Sequence, residues 1–334
     1  MDKQPFGLGA HRSPVDNTRI LHNHLNASVA AAIVNYATVD YSKDEVLNQG
    51  KKGICTAISL AKMLSKMFGF KVSWVFLYKM GKRLEGNTDE GAALIDMLRA
   101  AFKFGVPHYE LAPYDINCDY ATFMAQPDFS PAVYADAALH KLPAYAQVLP
   151  LNKDTLIQAL STSKYGLYTR IEVGDEFWTD KNGNRTYDPA LLQLIRTPQT
   201  VISGHAIVTE TLDYRNIPNT GIWGNSWGDG WCDHGNGAFD ADAWIGTYLT
   251  EAWVISDKFI HSFDTNLVPG YSGDEVIALQ TALKLDGEFK APTTGWYGPL
   301  TFAAVRAFQT KYGITPLGIV GPKTRAQLNS LFSS

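Results

Sequence analysis

At 334 residues, with 46% hydrophobic and 19% charged side chains, the chain has an ordinary globular composition and is long enough for one sizeable core plus a smaller module. Its net charge of −4 gives no electrostatic basis for binding nucleic acid or an anionic membrane, and no apolar run reaches spanning length, so neither nucleic acid nor membrane insertion is expected.

The first twenty residues, MDKQPFGLGAHRSPVDNTRI, lack the continuous apolar core of a signal peptide, so classical export is not expected and the export route stays open. His22 and His24 could suit a metal, but two histidines in a polar arm read as solvated, and no metal ligand is assigned. Residues 1–39 read as an N-terminal extension, too short for a separate pro-domain but able to cover a cleft as a short plug.

From Gln49 to Gly69 the chain reads QGKKGICTAISLAKMLSKMFG. Ala57, Leu60, Ala61, Leu64, Met67 and Phe68 recur at helical spacing, and Gly69 supplies a stop. Cys55 falls at the first turn behind Gly53, where unpaired N–H groups and the helix dipole favour a thiolate. An inert buried thiol is the alternative. The other cysteines, Cys118 and Cys232, read as free structural thiols, although a bridge between them stays open.

Leu94 to Gly105 predicts a second amphipathic helix and Asp154 to Leu160 a third. Short β-branched and aromatic runs follow, at Gly166–Val173, Ser203–Tyr214 and Thr220–Trp227, so helices precede strands and the class is α+β with a site between two halves. The segment TDKNGNRTYD, residues 179–188, is read as a polar hairpin turn, because its glycine is misplaced for a calcium loop. His205 opens one strand 150 residues after Cys55, and Asn225 follows 20 residues later. A nucleophile, a base and an orienting amide in that order suit acyl transfer through sulfur.

QGKKGICTA, SGHAIV and GNSWGDGW, with softer similarity between them, resemble the papain family of cysteine proteases over about Asp40 to Ser256. The resemblance implies a two-lobed peptidase domain, residues 40–258, that needs no cofactor. Cys55 would be the nucleophile, His205 the general base and Asn225 its orienting partner. Trp227 would shield their hydrogen bond. Gln49 would donate to the oxyanion beside the Cys55 N–H, and Gly91 and Ala206 would line the bound substrate backbone. A thiolate–imidazolium pair is the expected resting state. Lys52 stands where many relatives carry a disulfide cysteine, and Thr56 replaces an aromatic residue.

After a connection at 259–269, GWYGPLTFAAV from Gly295 nearly repeats as GIVGPKTRAQL from Gly318. Each copy places proline in a first helical turn and threonine two residues on, with Phe302, Val305 and Phe308, then Ala326, Leu328 and Leu331, as apolar faces packing on Val276–Leu283. This three-helix unit, residues 270–334, resembles the bacterial and phage peptidoglycan-binding module, which implies peptidoglycan as a partner. The two resemblances together imply a monomeric cysteine endopeptidase acting on peptide or protein substrates outside the cell or at the cell wall, an endolysin being one form. A catalytically inactive wall-binding or structural protein on a peptidase fold is the alternative.

Overall fold

The computed structural model describes residues 8–13, 47–177, 194–213, 220–259 and 261–332. His22, His24 and the polar segment 179–188 lie outside the described residues. Among the described residues the chain divides into two compact units, the first ending at Asp257 and the second beginning at Lys258.

The first unit opens with a two-residue strand, β1 (Ala10–His11). Helix α1 (Cys55–Phe68) follows, ending at Gly69, whose positive φ lets its N–H bond the Ser65 carbonyl. Its start and stop fall where the periodicity predicts them. Helix α2 (Trp74–Glu85) has no counterpart in that reading: WVFLYKMG is rich in residues that suit strands. Two local devices fix it as helix. Ser73 Oγ accepts from Phe76 N at the start, and Gly86 terminates it in the left-handed region.

β2 (Ala92–Ala93) leads directly into the amphipathic α3 (Leu94–Lys103), and α4 (Tyr120–Ala125) and α5 (Pro131–Leu139) complete this half. The strand-rich half contains β3 (Ala144–Gln147), α6 (Lys153–Thr162), β4 (Leu167–Val173), β5 (Leu194–Ile195) and β6 (Ser203–Asp213). It closes with β7 (Thr220–Gly224), β8 (Asn236–Asp240), α7 (Ala241–Trp244) and β9 (Leu249–Ser256). Among the described residues these strands form one seven-stranded sheet in the order β3-β9-β4-β6-β7-β8-β5.

Register in this sheet positions the site. β6 pairs antiparallel with β4 so that His205 faces Ile171, and with β7 so that Val208 faces Gly224. The β6–β7 pairing returns the chain to its starting end, so Asn225, the residue after β7, comes back beside His205. A core of Phe177, Trp223, Trp227, Trp231, Phe239 and Trp244 backs it. Trp223 stacks on Phe239 at 4.1 Å and meets Trp244 edge-on at 4.6 Å.

The second unit packs α8 (Asp274–Leu285), α9 (Pro299–Lys311) and α10 (Pro322–Phe332) around Leu279, Leu283, Tyr297, Val305, Phe308 and Leu328. The stretch read as a connection joins this core: Phe263 and Leu267 are buried in it, and His261 N donates to Phe332 O. Of the apolar faces read from the sequence, Val305, Phe308 and Leu328 point inward, whereas Ala326 and Leu331 point out. Buried Thr324 takes the inward place on α10 instead, because its hydroxyl accepts from Gln309.

The clasp is repeated. Gln280 Nε2 donates to Trp296 O and Thr301 Oγ1, while its Oε1 accepts from the Thr294 and Gly295 N–H groups. Gln309 Nε2 donates to Ile319 O and Thr324 Oγ1, and its Oε1 accepts from Gly318 N. Each threonine two residues after the helix-opening proline is therefore a buried acceptor for a glutamine of the preceding helix, and each glutamine closes the next turn.

Candidate active site

Cys55 is the first residue of α1 and is fully buried. No side chain caps the helix start and no acid sits in its first turn, so the positive end of the helix is directed at the thiol. Neither Cys118 nor Cys232 is in a disulfide. Backbone hydrogen bonds from Ala206, Gly9 and Thr56 reach the Cys55 sulfur, but burial outweighs them and pushes the thiol up to about 11.

His205, also fully buried, has Nε2 2.7 Å from Asn225 Oδ1. Its Nδ1 has no hydrogen-bond partner. Asn225 Oδ1 accepts a second bond from Ser226 N, which fixes the amide. Trp227 lies over the imidazole at 4.8 Å between centroids, tilted by 31°, and Phe177 meets the ring edge-on at 5.7 Å. This aromatic wall excludes water from the His205–Asn225 bond, and burial lowers His205 to about 4 against the opposing pull of Asn225. Both directions oppose the thiolate–imidazolium pair expected from the sequence. Wholly dehydrated groups favour a neutral thiol beside a neutral imidazole.

Gln49 is buried, with its backbone N–H on Ser226 O at 2.9 Å, its carbonyl accepting from Tyr114 Oη at 2.7 Å and its Oε1 accepting from Ser226 Oγ. One N–H of its side chain is given to Lys52 O at 2.9 Å. Lys52 in turn donates Nζ to Ile116 O at 2.9 Å and Asp115 O at 3.2 Å and lies over the Tyr114 ring. A buried lysine, at the position where the resemblance leads one to look for a disulfide cysteine, thus ties the approach to α1 onto the loop before α4.

What covers the thiol is the chain's own N-terminal stretch. β1 pairs in parallel with β2, matching Ala10 to Ala92 and His11 to Ala93, and Ala92 N donates to Gly9 O at 2.7 Å. A methyl group on Gly9 would stand 2.3 Å from Gly53 O, and one on Gly91 would stand 2.5 Å from His11 Nε2 and 2.7 Å from Gly9 O. Gly91 also has φ +95° and is clamped by Tyr78 Oη on both its N–H and carbonyl, with Lys82 Nζ at 2.8 Å from that carbonyl.

Further along, Ala10 O accepts from Arg170 Nε, Arg12 pairs with Glu172 at 2.7 Å, and Ser13 bonds Glu251. Burial would raise Glu172, but Arg170 and Arg12 outweigh it and hold the carboxyl below its usual range. Of the two residues expected to line a substrate, Gly91 therefore meets residues 8–13, whereas the Ala206 backbone reaches the Cys55 sulfur. Sequence reading did not find Phe177, Tyr78, Lys82, Arg170 or Glu172. Their partners come from other elements, and no local spacing marks them.

The fold and this constellation define a class: a papain-like cysteine peptidase fold with a C-terminal peptidoglycan-binding domain. Residues 272–328 match the family model described as "Putative peptidoglycan binding domain". Xylellain, a cysteine protease from Xylella fastidiosa, is similar with a TM-score of 0.62 at 23% identity, over 77% of this chain and 98% of that one. A digestive procathepsin L2 proteinase from the larval midgut of Tenebrio molitor gives a TM-score of 0.50 at 18% identity, over 67% and 70% of the two chains. At these identities the likeness is one of fold. The spore cortex-lytic enzyme of Bacillus cereus is 36% identical over 72 residues, 21% of this chain and 28% of that protein. The chain spans half or less of the length of the curated relatives it matches.

Proposed function

We propose that this chain is a cysteine endopeptidase directed to the bacterial cell wall by its second unit. The observation that carries the reading is a buried His205 held through Nε2 by Asn225, its Nδ1 without a hydrogen-bond partner, beside Ala206, whose backbone reaches the Cys55 thiol at a helix start. In this reading Nδ1 takes the Cys55 proton as the sulfur attacks the substrate carbonyl. His205 returns that proton to the leaving amine, and a water activated by the same nitrogen hydrolyses the thioester. Gln49 Nε2 and the Cys55 N–H receive the oxyanion. The substrate is peptide within peptidoglycan, as for an endolysin, or protein of the envelope.

Residues 8–13 hold this site latent. They pair with the Gly91–Ala92 edge that an extended peptide would use, and they dehydrate the two groups that must carry charge. Replacing Gly9 by leucine puts a side chain into Gly53 O and dislodges the strand, withdrawing the Gly9 hydrogen bond from Cys55 while leaving every catalytic side chain in place. A thiol-reactive peptide mimic is expected to label Cys55 at least about tenfold faster in Gly9→Leu, equivalent to about 1.4 kcal/mol of lost strand binding. Equal rates would refute latency.

The function itself is tested on purified, protein-free peptidoglycan by mass spectrometry of the soluble products, with Cys55→Ala as control and Gly9→Leu as the uncovered form. New peptide termini that depend on Cys55 support a wall-degrading endopeptidase. No release from the wall, with Cys55-dependent cleavage of proteins, leaves the wall as an address. No cleavage of either by the uncovered form would make the chain a binding protein on a peptidase fold.

A further inference from the structure

The loop before Tyr109 and helix α5 meet at a second cluster of side chains. Asp136 and His140 lie one helical turn apart, on α5 and at its C-cap, and so share a face. His108 is brought to them by backbone contacts: Val106 N donates to His140 O at 3.1 Å, Tyr109 N donates to Lys71 O, and Val72 bridges His108. Gly105, in the left-handed region at φ +83°, permits the approach, because a methyl group there would stand 1.8 Å from Ala137 O.

His108 Nδ1 is 3.0 and 3.2 Å from the two oxygens of Asp136, and the His108 backbone N–H donates to the same carboxylate at 2.8 Å. His140 Nδ1 is 3.9 Å from Asp136 Oδ2. A hydrogen-bonded His108–Asp136 pair accounts for those two residues. It leaves His140 Nδ1 buried with no hydrogen-bond partner, pointing at an oxygen beyond hydrogen-bonding reach.

We propose that His108, Asp136 and His140 bind one divalent transition-metal ion of the zinc class. One ligand atom from each residue lies within 4.8 Å of the others. Three ligands about 2.0–2.2 Å from a tetrahedral ion sit about 3.4 Å from one another; the two spacings to Asp136, 3.0 and 3.9 Å, bracket that value, and side-chain rotation would bring the whole set, already within 4.8 Å, to coordination. Two imidazoles and one carboxylate suit zinc, cobalt or nickel rather than magnesium or calcium.

Phe70 stacks on His108 at 3.8 Å and meets His140 edge-on at 4.7 Å, and Phe68 lies 5.8 Å from His140. These rings fix both imidazoles and lower the local dielectric, which strengthens binding. The ion would staple α5 to the loop after α3. None of its ligands touches the catalytic residues, so the site stands or falls independently of the proposed peptidase activity.

The test uses the full chain carrying Cys55→Ala, which removes the active-site thiol as a competing ligand. Cobalt(II) is titrated and followed by its visible absorption, and zinc is measured by equilibrium dialysis. One ion per chain is expected, with cobalt bands of tetrahedral nitrogen and oxygen coordination and a zinc-dependent rise in melting temperature. Affinity should fall at least about tenfold in both His140→Gln and Asp136→Asn, and the melting rise should vanish. Absence of stoichiometric binding in the parent, cobalt–thiolate charge transfer instead of nitrogen and oxygen bands, or equal affinity in parent and folded variants would overturn the site.

Discussion

Burial raises Cys55 to about 11 and lowers His205 to about 4, and the two shifts act at opposite ends of the pH scale. From its ordinary value of 6.5 down to about 4, an uncovered His205 binds a proton that the covered one refuses, so falling pH favours release of residues 8–13. Above 9.0 an uncovered Cys55 loses a proton that the covered thiol keeps until about 11, so rising pH favours release there too. The covered form is therefore most stable between about pH 6.5 and 9. Glu172 adds an acid-side effect: its depressed carboxyl keeps the Arg12 pair intact until pH falls below 4.5. The ratio of peptide hydrolysis by Gly9→Leu to that by the unaltered chain should be largest near pH 7.5. It should shrink toward pH 5 by as much as about tenfold per pH unit. A ratio flat across that range would detach latency from the burial of these two groups.

At the scale of elements, the repeated glutamine clasp decides whether the second unit holds its turns. Gln280 serves two backbone N–H groups, one carbonyl and one hydroxyl from a fully enclosed position, so Gln280→Ala leaves several buried polar groups without partners. Each such loss costs about 1–3 kcal/mol, and the sum is less than additive. Calorimetry of the full chain should show the transition of the second unit lowered by at least about 2 kcal/mol, with that of the first unit unmoved. An unchanged second transition would mean that water replaces the clasp.

The sequence displays half of this device. Thr301 and Thr324 stand out two residues after proline, but their partners lie 21 and 15 positions away, where helix periodicity does not point. The same limit governs α2, whose strand-like side chains are overruled by Ser73, Gly86 and packing. It also governs Lys52, which reads as a missing cysteine and acts as a hydrogen-bonded tie. Helices α1 and α3 were legible because their apolar stripes and glycine stops are local.

For the molecule as a whole, order and spacing single out Cys55, His205 and Asn225, and a sheet pairing that closes within 20 residues leaves a motif at each end and brings His205 beside Asn225. They could not carry the His108, Asp136 and His140 cluster, assembled from a loop and a helix by Gly105. Each unit has its own buried core, so removing one need not unfold the other. Tethering acts only where catalytic and binding sites share a surface: it raises the local concentration of wall substrate and leaves the chemical step alone. A Gly9→Leu chain ending at Asp257 should therefore cleave a soluble peptide at a rate close to that of the Gly9→Leu full chain, and release fragments from intact wall about 100-fold more slowly at low enzyme concentration. Equal losses on both substrates would mean that residues 258–334 support the catalytic unit. Equal retention on both would mean that the wall is reached without them.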